Sequence, residues 1–321
     1  MRFLYVCDPL DSLSPDGDTT LAFLRESQAR GVENFVCETR DLAAGTGSAW
    51  AKATRIAMQS SSSSSSPWYE KQGMEDLSLD DVDVVWMRKD PPVDDLFLYA
   101  CMLLESHDPK KTLVLNHPTS LRLCHEKLWA LKFPDLVPQQ VVSARRDVLK
   151  AFVDEHGIAV LKPLAFMGGM GVMVFEKTDK NLKSAIDLLT GEGKRPALAQ
   201  QYLPRVTAGD KRVIVVDGVP LAALLRVPQH DDVRANLHVG GSAAQGIIDD
   251  DDRRICARLA PELVRLGLFF VGLDVIGGRL TEVNVTSPTG VPHIDRIDGR
   301  SGKNTVSALV MDRVEARLRA R

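Results

Sequence analysis

The pattern of apolar and polar positions in the first 120 residues alternates between two periods. Short apolar runs such as FLYVC, ENFVCET, VDVVWM and TLVLNH are typical of strands. Two amphipathic stretches with helical spacing lie between them, TLAFLRESQARG and DDLFLYACMLLESH. Because strands and helices alternate, we expect a βαβ arrangement over residues 1–120, with a parallel sheet and helices on its faces.

The pattern changes after residue 120 and predicts two further α+β units, at 121–203 and 204–321. The first contains a helix through SLRLCHEKLWALKF and then strands and helices in the order QQVVSA, RDVLKAFVDEHG, IAVLKP, GVMVFE and NLKSAIDLL. The second opens with a hairpin around Asp217 and Gly218, since this dipeptide suits a type I′ turn. A helix over residues 250–266 and a basic terminal helix follow. The fold class is therefore α/β with α+β lobes, in three parts.

Three oxygen-bearing side chains occur in a second hairpin near the end of the chain. Glu282 and Asn284 lie two positions apart in LTEVNV, so they share one face of a strand. Asp274 joins that face if Gly277, Gly278 and Arg279 form a three-residue loop. Carboxylate and amide oxygens are the ligands that Mg²⁺ prefers. The hairpin predicts a metal site, whereas any one of these residues alone would be read as a solvent-facing polar side chain.

A glycine loop follows the apolar strand that ends at Lys162. The run KPLAFMGGMGVMVF contains Gly168 and Gly169, and such loops allow backbone N–H groups to approach an anion or allow a lid to move. A strand follows the loop, so it matches neither common helix-opening phosphate motif. Lys162 stands where its charge could contact a phosphate, and Lys127 in LCHEKLW is a second candidate.

Arginines form a further group in the last unit. Arg212 begins one strand, Arg226 ends the next, and Arg234 lies in the polar stretch VRANLHVGG. A planar guanidinium binds carboxylates and phosphates through two hydrogen bonds. Each arginine alone is more often a surface residue, but their placement beside the metal hairpin favours a site for an acidic substrate.

Composition restricts the possible partners. The net charge is −3 with both signs interspersed, so nucleic-acid binding is not expected. The apolar opening is too short for a signal-peptide core, and no run approaches 18 apolar residues, so no membrane association is expected either. Five scattered cysteines without CxxC spacing indicate a cytoplasmic setting. The serine run at 60–66 predicts a loop.

These features together resemble the bacterial glutathione synthetases of the ATP-grasp superfamily. The resemblance spans nearly the whole chain and rests on MRKDPP at 87–92, LRLCHEKL, KPL with its glycines, GDKR at 209–212 and, above all, FVGLDVIGGRLTEVNVTSPTG. It implies a three-lobed ATP-grasp fold. It also implies a reaction in which ATP phosphorylates the cysteinyl carboxylate of γ-glutamylcysteine and glycine then displaces phosphate, giving glutathione and ADP.

The resemblance also implies a role for particular residues. ATP would be bound by Lys127, Lys162, Gly168, Gly169, Gln201, Tyr202, Leu203 and Asp210, with the segment 201–203 as the hinge beside adenine. Asp274, Glu282 and Asn284 would hold Mg²⁺, with Mn²⁺ as an alternative. Arg212, Arg226 and Arg234 would act in catalysis. The peptide and its acceptor would contact Arg88, Asn236, Ser287, Pro288, Thr289 and Gly290. A homo-oligomer, either a tetramer or a dimer, is implied too.

Several loop residues depart from the family pattern. Ala165 and Phe166 follow KPL, Ala235 stands between Arg234 and an asparagine, and His293 follows the SPTG segment. These departures leave open a ligase that joins a different peptide and amine. The residues are also compatible with a kinase that stops after phosphoryl transfer and with a scaffold that binds ATP without turnover.

Overall fold

A computed structural model describes residues 1–59, 68–229 and 240–321 of the chain. The serine run at 60–66 and the candidates Arg234 and Asn236 lie outside these described residues. Within them, no helix is both long and apolar enough to cross a membrane.

The first sheet is mixed, with seven strands in the order β3-β4-β2-β1-β6-β7 and β5 beside β4. Its elements are β1 (Arg2–Val6), α1 (Thr19–Ala29), β2 (Glu33–Cys37), β3 (Leu42–Gly45), β4 (Ser48–Met58), β5 (Tyr69–Ser78), β6 (Val84–Met87), α2 (Asp95–Leu104) and β7 (Leu113–Leu115). Strands β2, β1, β6 and β7 are parallel, as the sequence predicts.

The antiparallel part of this sheet is not predicted by the sequence pattern. Strand β4 pairs antiparallel with β2, β3 and β5, so the expected parallel sheet acquires an antiparallel edge. Most of β5 is polar and exposed, and Leu77 is its single buried residue. A strand that buries so little apolar surface gives no apolar run to detect.

Two antiparallel sheets form the rest of the molecule. The second sheet has the order β10-β9-β11-β8 and the third β14-β13-β12-β15-β16. Their elements are α3 (Pro118–Leu123), β8 (Gln140–Ser143), α4 (Arg146–His156), β9 (Ile158–Pro163), β10 (Met173–Glu176), α5 (Leu182–Thr190), β11 (Ala197–Gln201), β12 (Asp210–Val216), β13 (Val219–Val227), β14 (Ser242–Gln245), α6 (Asp250–Arg265), β15 (Phe270–Ile276), β16 (Arg279–Asn284), α7 (Val291–Ile297) and α8 (Val306–Arg319).

Local sequence signals fix two of these elements closely. Asp217 and Gly218 have φ angles of 53° and 77°, both positive as a type I′ turn requires, and they join β12 to β13. Helix α6 begins after Asp249, whose side chain accepts a hydrogen bond from the Asp252 N–H, and three acidic residues occupy its first turn. Both predictions are confirmed.

The helix predicted through SLRLCHEKLWALKF is wrong as a continuous element. Helix α3 ends at Leu123, a turn follows, and a short 3₁₀ helix begins at Trp129. In the turn, the N–H groups of Lys127 and Leu128 donate to Nδ1 of His125 at 3.2 and 3.4 Å. A side chain thus takes the place of the helical carbonyl acceptors, which apolar spacing alone does not reveal.

The buried apolar side chains of the described residues form three clusters, and one of them belongs to the second sheet and its helices. Two apolar clusters each combine residues of the first sheet with residues of the third. Phe23 of α1, for example, packs edge-on against Phe270 of β15 with ring centroids 5.1 Å apart. The second sheet with α4 and α5 has its own cluster. The first and third sheets therefore form one packed body, to which the second sheet is attached.

Asn116 joins the first sheet to the third through buried hydrogen bonds. Its Nδ2 donates to the carbonyl oxygens of Phe270 and Val285 at 2.8 and 2.7 Å. Its Oδ1 accepts from the Phe270 N–H at 2.8 Å. One amide side chain thereby satisfies three backbone groups between β15 and the segment after β16.

We expect Asn116→Ala to destabilise the protein, because those three backbone groups would stay buried without partners. The cost is about 2–4 kcal/mol, which lowers the melting temperature by about 5 °C or more in a chain of this size. Differential scanning calorimetry measures the change. Asn304→Ala, at an exposed asparagine, is the control, and equal melting temperatures for the two variants would contradict the assignment.

Candidate active site

A cleft lies between the second and third sheets, and residues of both sheets line it. Its polar lining includes Lys127, Lys162, Gln200, Asp210, Asp274 and Glu282, and its apolar lining includes Val160, Val172, Val174, Val206 and Ile276. Residues predicted from separate parts of the sequence are therefore brought into one place.

Lys162 is a half-buried lysine on β9. Its Nζ donates to Oε1 of Gln200 on the neighbouring strand β11 at 2.9 Å. Burial lowers the pKa of Lys162, and the charge on Glu282 only partly opposes that effect. Within residues 1–59, 68–229 and 240–321, no carboxylate lies within 4.0 Å of this ammonium group. An anionic ligand in the cleft would supply the missing negative charge.

Lys127 approaches the cleft from the turn before the 3₁₀ helix. Its Nζ lies 3.0 Å from Oε1 of Glu282 and donates to the carbonyl oxygen of Phe166 at 2.8 Å. Burial acts to lower the pKa of Lys127, but the Glu282 carboxylate outweighs it, so the pKa is raised. Lys127 is therefore cationic and connects β16 to the glycine loop.

Asp274 lies below the cleft, between two arginines. Arg212 donates to its Oδ1 at 2.5 Å and to its Oδ2 at 3.0 Å, while Nη2 of Arg226 is 3.0 Å from Oδ2. Burial raises the pKa of this carboxyl group, but the two guanidinium charges outweigh it and leave the pKa lowered. Arg226 also donates to Oδ2 of Asp210 at 2.6 Å. Two carboxylates and two guanidiniums thus balance one another.

The three predicted metal ligands share one face of the β15–β16 hairpin. Asp274 pairs with Glu282, and Asn284 pairs with Gly272. The expected three-residue loop is wrong, because Ile276 pairs with Arg279 and the turn has two residues. A bulge next to Asp274 adds one residue to the opposite strand and restores the alignment.

The donor types on this face suit a hard divalent cation. A carboxylate from each strand and one amide supply only oxygen atoms, which Mg²⁺ and Mn²⁺ favour. No group of three His, Cys, Asp or Glu side chains is placed to hold a metal ion in the part of the chain that the structure describes. The amide oxygen of Asn284 on the same face could serve as a third donor.

The glycine loop joins β9 to β10 and borders the cleft from Phe166 to Met170. Gly168, Gly169 and Gly171 have φ angles of 62°, 84° and 70°, which residues with a side chain rarely adopt. At Gly171 an added Cβ would also lie 2.9 Å from Cγ of Pro163. The backbone conformation of this part of the cleft lining therefore favours glycine at these three positions.

The segment Ser287, Pro288, Thr289 and Gly290 follows β16 and is held from the first sheet. Nη2 of Arg88 donates to the Pro288 carbonyl oxygen at 3.1 Å, and Nη1 of Arg212 reaches that of Thr289 at 3.5 Å. Arg88 itself is only 3% exposed. Burial lowers the pKa of Arg88, although the charge on Asp18 opposes this. The structure thus places Arg88 beneath the segment and not on the surface of the cleft.

The predicted hinge follows β11. Gln201 ends that strand, and Tyr202 and Leu203 continue along the border of the cleft. Asp210 stands opposite at the start of β12, and its buried Oδ1 has no hydrogen-bond partner among the residues that the structure describes. An unpaired acceptor at the edge of the cleft is suited to a hydroxyl donor from a ligand.

Sequence reasoning missed two polar residues: Gln200, which lines the cleft, and Glu126, which precedes Lys127 but is outside the lining. Gln200 is 2% exposed within the apolar strand ALAQQ, and a buried amide in such a run could have drawn attention to it. Glu126 precedes Lys127, and its Oε1 accepts a hydrogen bond from Oγ1 of Thr286 at 2.7 Å. Only the tertiary contact distinguishes it from an ordinary surface glutamate.

Two family models match the chain. The model for the N-terminal domain of prokaryotic glutathione synthetase matches residues 1–122, and the model for the ATP-grasp domain of that enzyme matches residues 126–299. The glutathione synthetase of Thermosynechococcus vestitus is 43% identical over 316 residues, covering 96% of this chain and 99% of that protein. The one from Citrobacter rodentium is 41% identical and covers 98% of each.

Solved structures show the same fold at low identity. The D-cycloserine synthetase DcsG aligns with a TM-score of 0.65 at 15% identity, covering 98% of this chain and 99% of that one. A Chryseobacterium gregarium ATP-grasp ligase in complex with ADP and peptides aligns with a TM-score of 0.63 at 16% identity, covering 98% and 97%. The fold is thus ATP-grasp, and the family uses ATP with a divalent metal. The chain belongs to the prokaryotic glutathione synthetase family and is an ATP-dependent ligase.

Proposed function

We propose that the protein joins γ-glutamylcysteine to glycine, with conversion of ATP to ADP and phosphate. The observation that carries this proposal is the pair of lysines, buried Lys127 and half-buried Lys162, in one cleft with the carboxylates of β15 and β16. A lysine such as Lys162, which lacks a carboxylate partner among the described residues, suits a polyphosphate. The family match supports the choice of the substrates of glutathione synthesis.

Adenosine would occupy the apolar part of the cleft. The segment Gln201, Tyr202 and Leu203 would contact adenine, and the buried Oδ1 of Asp210 would accept a hydroxyl hydrogen bond. Lys127 and Lys162 would bind the phosphate oxygens, with Gly168 and Gly169 of the loop above them. Lys127 already contacts both the loop and β16, so phosphate binding and loop position would be linked.

The chemical problem is that a carboxylate is too poor an electrophile to form an amide. In the proposed reaction its oxygen attacks the γ-phosphorus as the bond to ADP breaks, giving an acyl phosphate. The amine of glycine then attacks the acyl carbon, the amine loses a proton, and phosphate leaves. Arg212, Arg226 and the lysines would stabilise the charge that moves between these oxygens. The loop would keep water away from the acyl phosphate.

A divalent cation held by Asp274, Glu282 and Asn284 would neutralise phosphate charge, and we propose Mg²⁺, with Mn²⁺ as a substitute. Ser287, Pro288, Thr289 and Gly290 would border the peptide and acceptor, with Arg88 supporting them through the Pro288 carbonyl oxygen. We also propose a cytoplasmic setting, because the five cysteines, all within the described ranges, are buried and free.

The substrate assignment is tested with purified protein, ATP, Mg²⁺ and γ-glutamylcysteine, with and without glycine. We expect ADP release that depends on glycine, together with an equal amount of glutathione, measured by a coupled assay and mass spectrometry. Turnover only with other amines would indicate a ligase of different specificity. A stable phosphorylated product would indicate a kinase, and nucleotide binding without turnover would indicate a scaffold.

Glu282→Gln tests the role of the β16 carboxylate. We expect turnover to fall by about 100-fold or more. The substitution removes one negative charge, which the proposed cation and Lys127 both face. Circular dichroism should show an unchanged fold. Glu155→Gln, at an exposed glutamate of α4, is the matched control and should keep the activity of the unsubstituted protein. Activity within twofold of that value in Glu282→Gln would refute the role.

We further propose that the protein is a homo-oligomer, a dimer or tetramer, in which two copies of α2 pack in antiparallel directions. Leu96, Tyr99 and Met102 on α2 are 47%, 58% and 47% exposed and are spaced for one helix face. Exposed aspartates, Asp94 and Asp95, lie at one end, and exposed lysines lie beyond the other at 110 and 111. A twofold axis across the helix would bring opposite charges together.

We expect Tyr99→Glu to lower the oligomer mass measured by size-exclusion chromatography with light scattering, because it places a charge at the centre of the apolar face. Leu188→Glu is the matched control, at a leucine that is 75% exposed on α5, and should leave the mass unchanged. An unchanged mass in Tyr99→Glu would show that α2 is not the interface.

A further inference from the structure

Glu126 lies in a turn that is closed by a backbone hydrogen bond from the Trp129 N–H to the His125 carbonyl oxygen at 2.8 Å. It lies between α3 and the 3₁₀ helix, in the turn where Lys127 and Leu128 donate to His125 and not to helical carbonyls. Further contacts from outside the turn hold it in place.

Those contacts come from β16 and the residues after it. The carbonyl oxygen of Glu126 accepts from the Val283 N–H at 3.0 Å. Its Oε1 accepts from Oγ1 of Thr286 at 2.7 Å and faces the Thr286 N–H at 3.5 Å. These hydrogen bonds attach the turn to Val283 and Thr286, which lie on either side of Asn284 in the chain. Lys127 makes the next contact along the strand, at Glu282.

A carboxylate is an unfavourable choice if this attachment served stability alone. Burial, followed by the negative charge of Glu282, raises the pKa of Glu126 although Thr286 donates to it. Two acidic groups close together in a poorly solvated place cost free energy. An apolar residue of similar size would avoid that cost but could not accept the hydrogen bond from Thr286.

We propose that Glu126 is a positioning residue: its hydrogen bond to the Thr286 hydroxyl holds the turn against β16 and aims Lys127 at the nucleotide phosphates. The inference deepens the proposed function and rests on it for the role of Lys127. The 3₁₀ helix that follows the turn packs with the first and third sheets through Trp129 and Ala130. Glu126 therefore holds the backbone of Lys127 against the hairpin within the body formed by the first and third sheets.

The test measures nucleotide binding apart from catalysis. We expect Glu126→Ala and Thr286→Val each to weaken the affinity for AMPPNP with Mg²⁺ by about tenfold, the effect of losing one buried hydrogen bond. The KM for ATP should rise in parallel, while the KM for γ-glutamylcysteine stays within twofold. Glu126→Gln should restore most of the affinity, because its amide oxygen still accepts from Thr286. The double variant Glu126→Ala with Thr286→Val should bind no more weakly than either single variant.

Glu105→Ala is the matched control. Glu105 also accepts a hydrogen bond from a threonine hydroxyl, that of Thr119 at 2.5 Å, but it lies at the end of α2, outside the cleft lining. This variant should bind AMPPNP like the unsubstituted protein.

Several results would overturn the proposal: nucleotide affinity within twofold of the unsubstituted protein in Glu126→Ala or Thr286→Val, additive losses in the double variant, or failure of Glu126→Gln to restore binding. If Glu126→Ala does not fold, Thr286→Val and Glu126→Gln decide the question. Absence of glutathione formation by the unsubstituted protein would contradict the proposed substrates, whereas the AMPPNP measurements would still test Glu126.

Discussion

The cleft depends on the compensation of charge around Asp274. This carboxylate lies at the join of three strands, where it faces Glu282 across the hairpin and accepts hydrogen bonds from Arg212 and Arg226. A buried carboxylate without these cations would be expelled or protonated, since burial disfavours its charge. The arginines in turn need Asp210 and Asp274. The acidic face of the hairpin therefore rests on a balanced set of buried ions.

The division of the apolar cores decides where the site can open. The first and third sheets share their buried clusters, and the second sheet has a separate one, so a ligand in the cleft lies at the boundary between two packed bodies. Lys162 and the glycine loop belong to one side, while Asp274 and Glu282 belong to the other. Lys127 links the two sides, because its ammonium group contacts both Glu282 and the carbonyl oxygen of Phe166 in the loop. Phosphates that compete for this group would change both contacts at once.

The sequence by itself determined the features that depend on neighbouring residues. The turn at Asp217 and Gly218, the cap of α6 and the parallel strands of the first sheet all follow from local propensity or periodicity. The motif FVGLDVIGGRLTEVNVTSPTG likewise indicated the family and the oxygen-bearing face, because strand alternation is a local rule. The expected cause of the alignment was wrong, however, because a bulge and not a three-residue loop aligns Asp274 with Glu282.

Only the tertiary structure decided the features that depend on contacts between distant segments. Strand β5 buries almost no apolar side chains, and it forms because its backbone pairs with β4. The helix expected around Lys127 is interrupted because the His125 ring accepts two backbone N–H groups. Glu126 became visible as a neighbour of the site through Thr286, which is 160 positions away in the chain. Each of these features depends on the free energy of contacts between segments that are far apart in the chain. No local pattern of residues encodes such contacts.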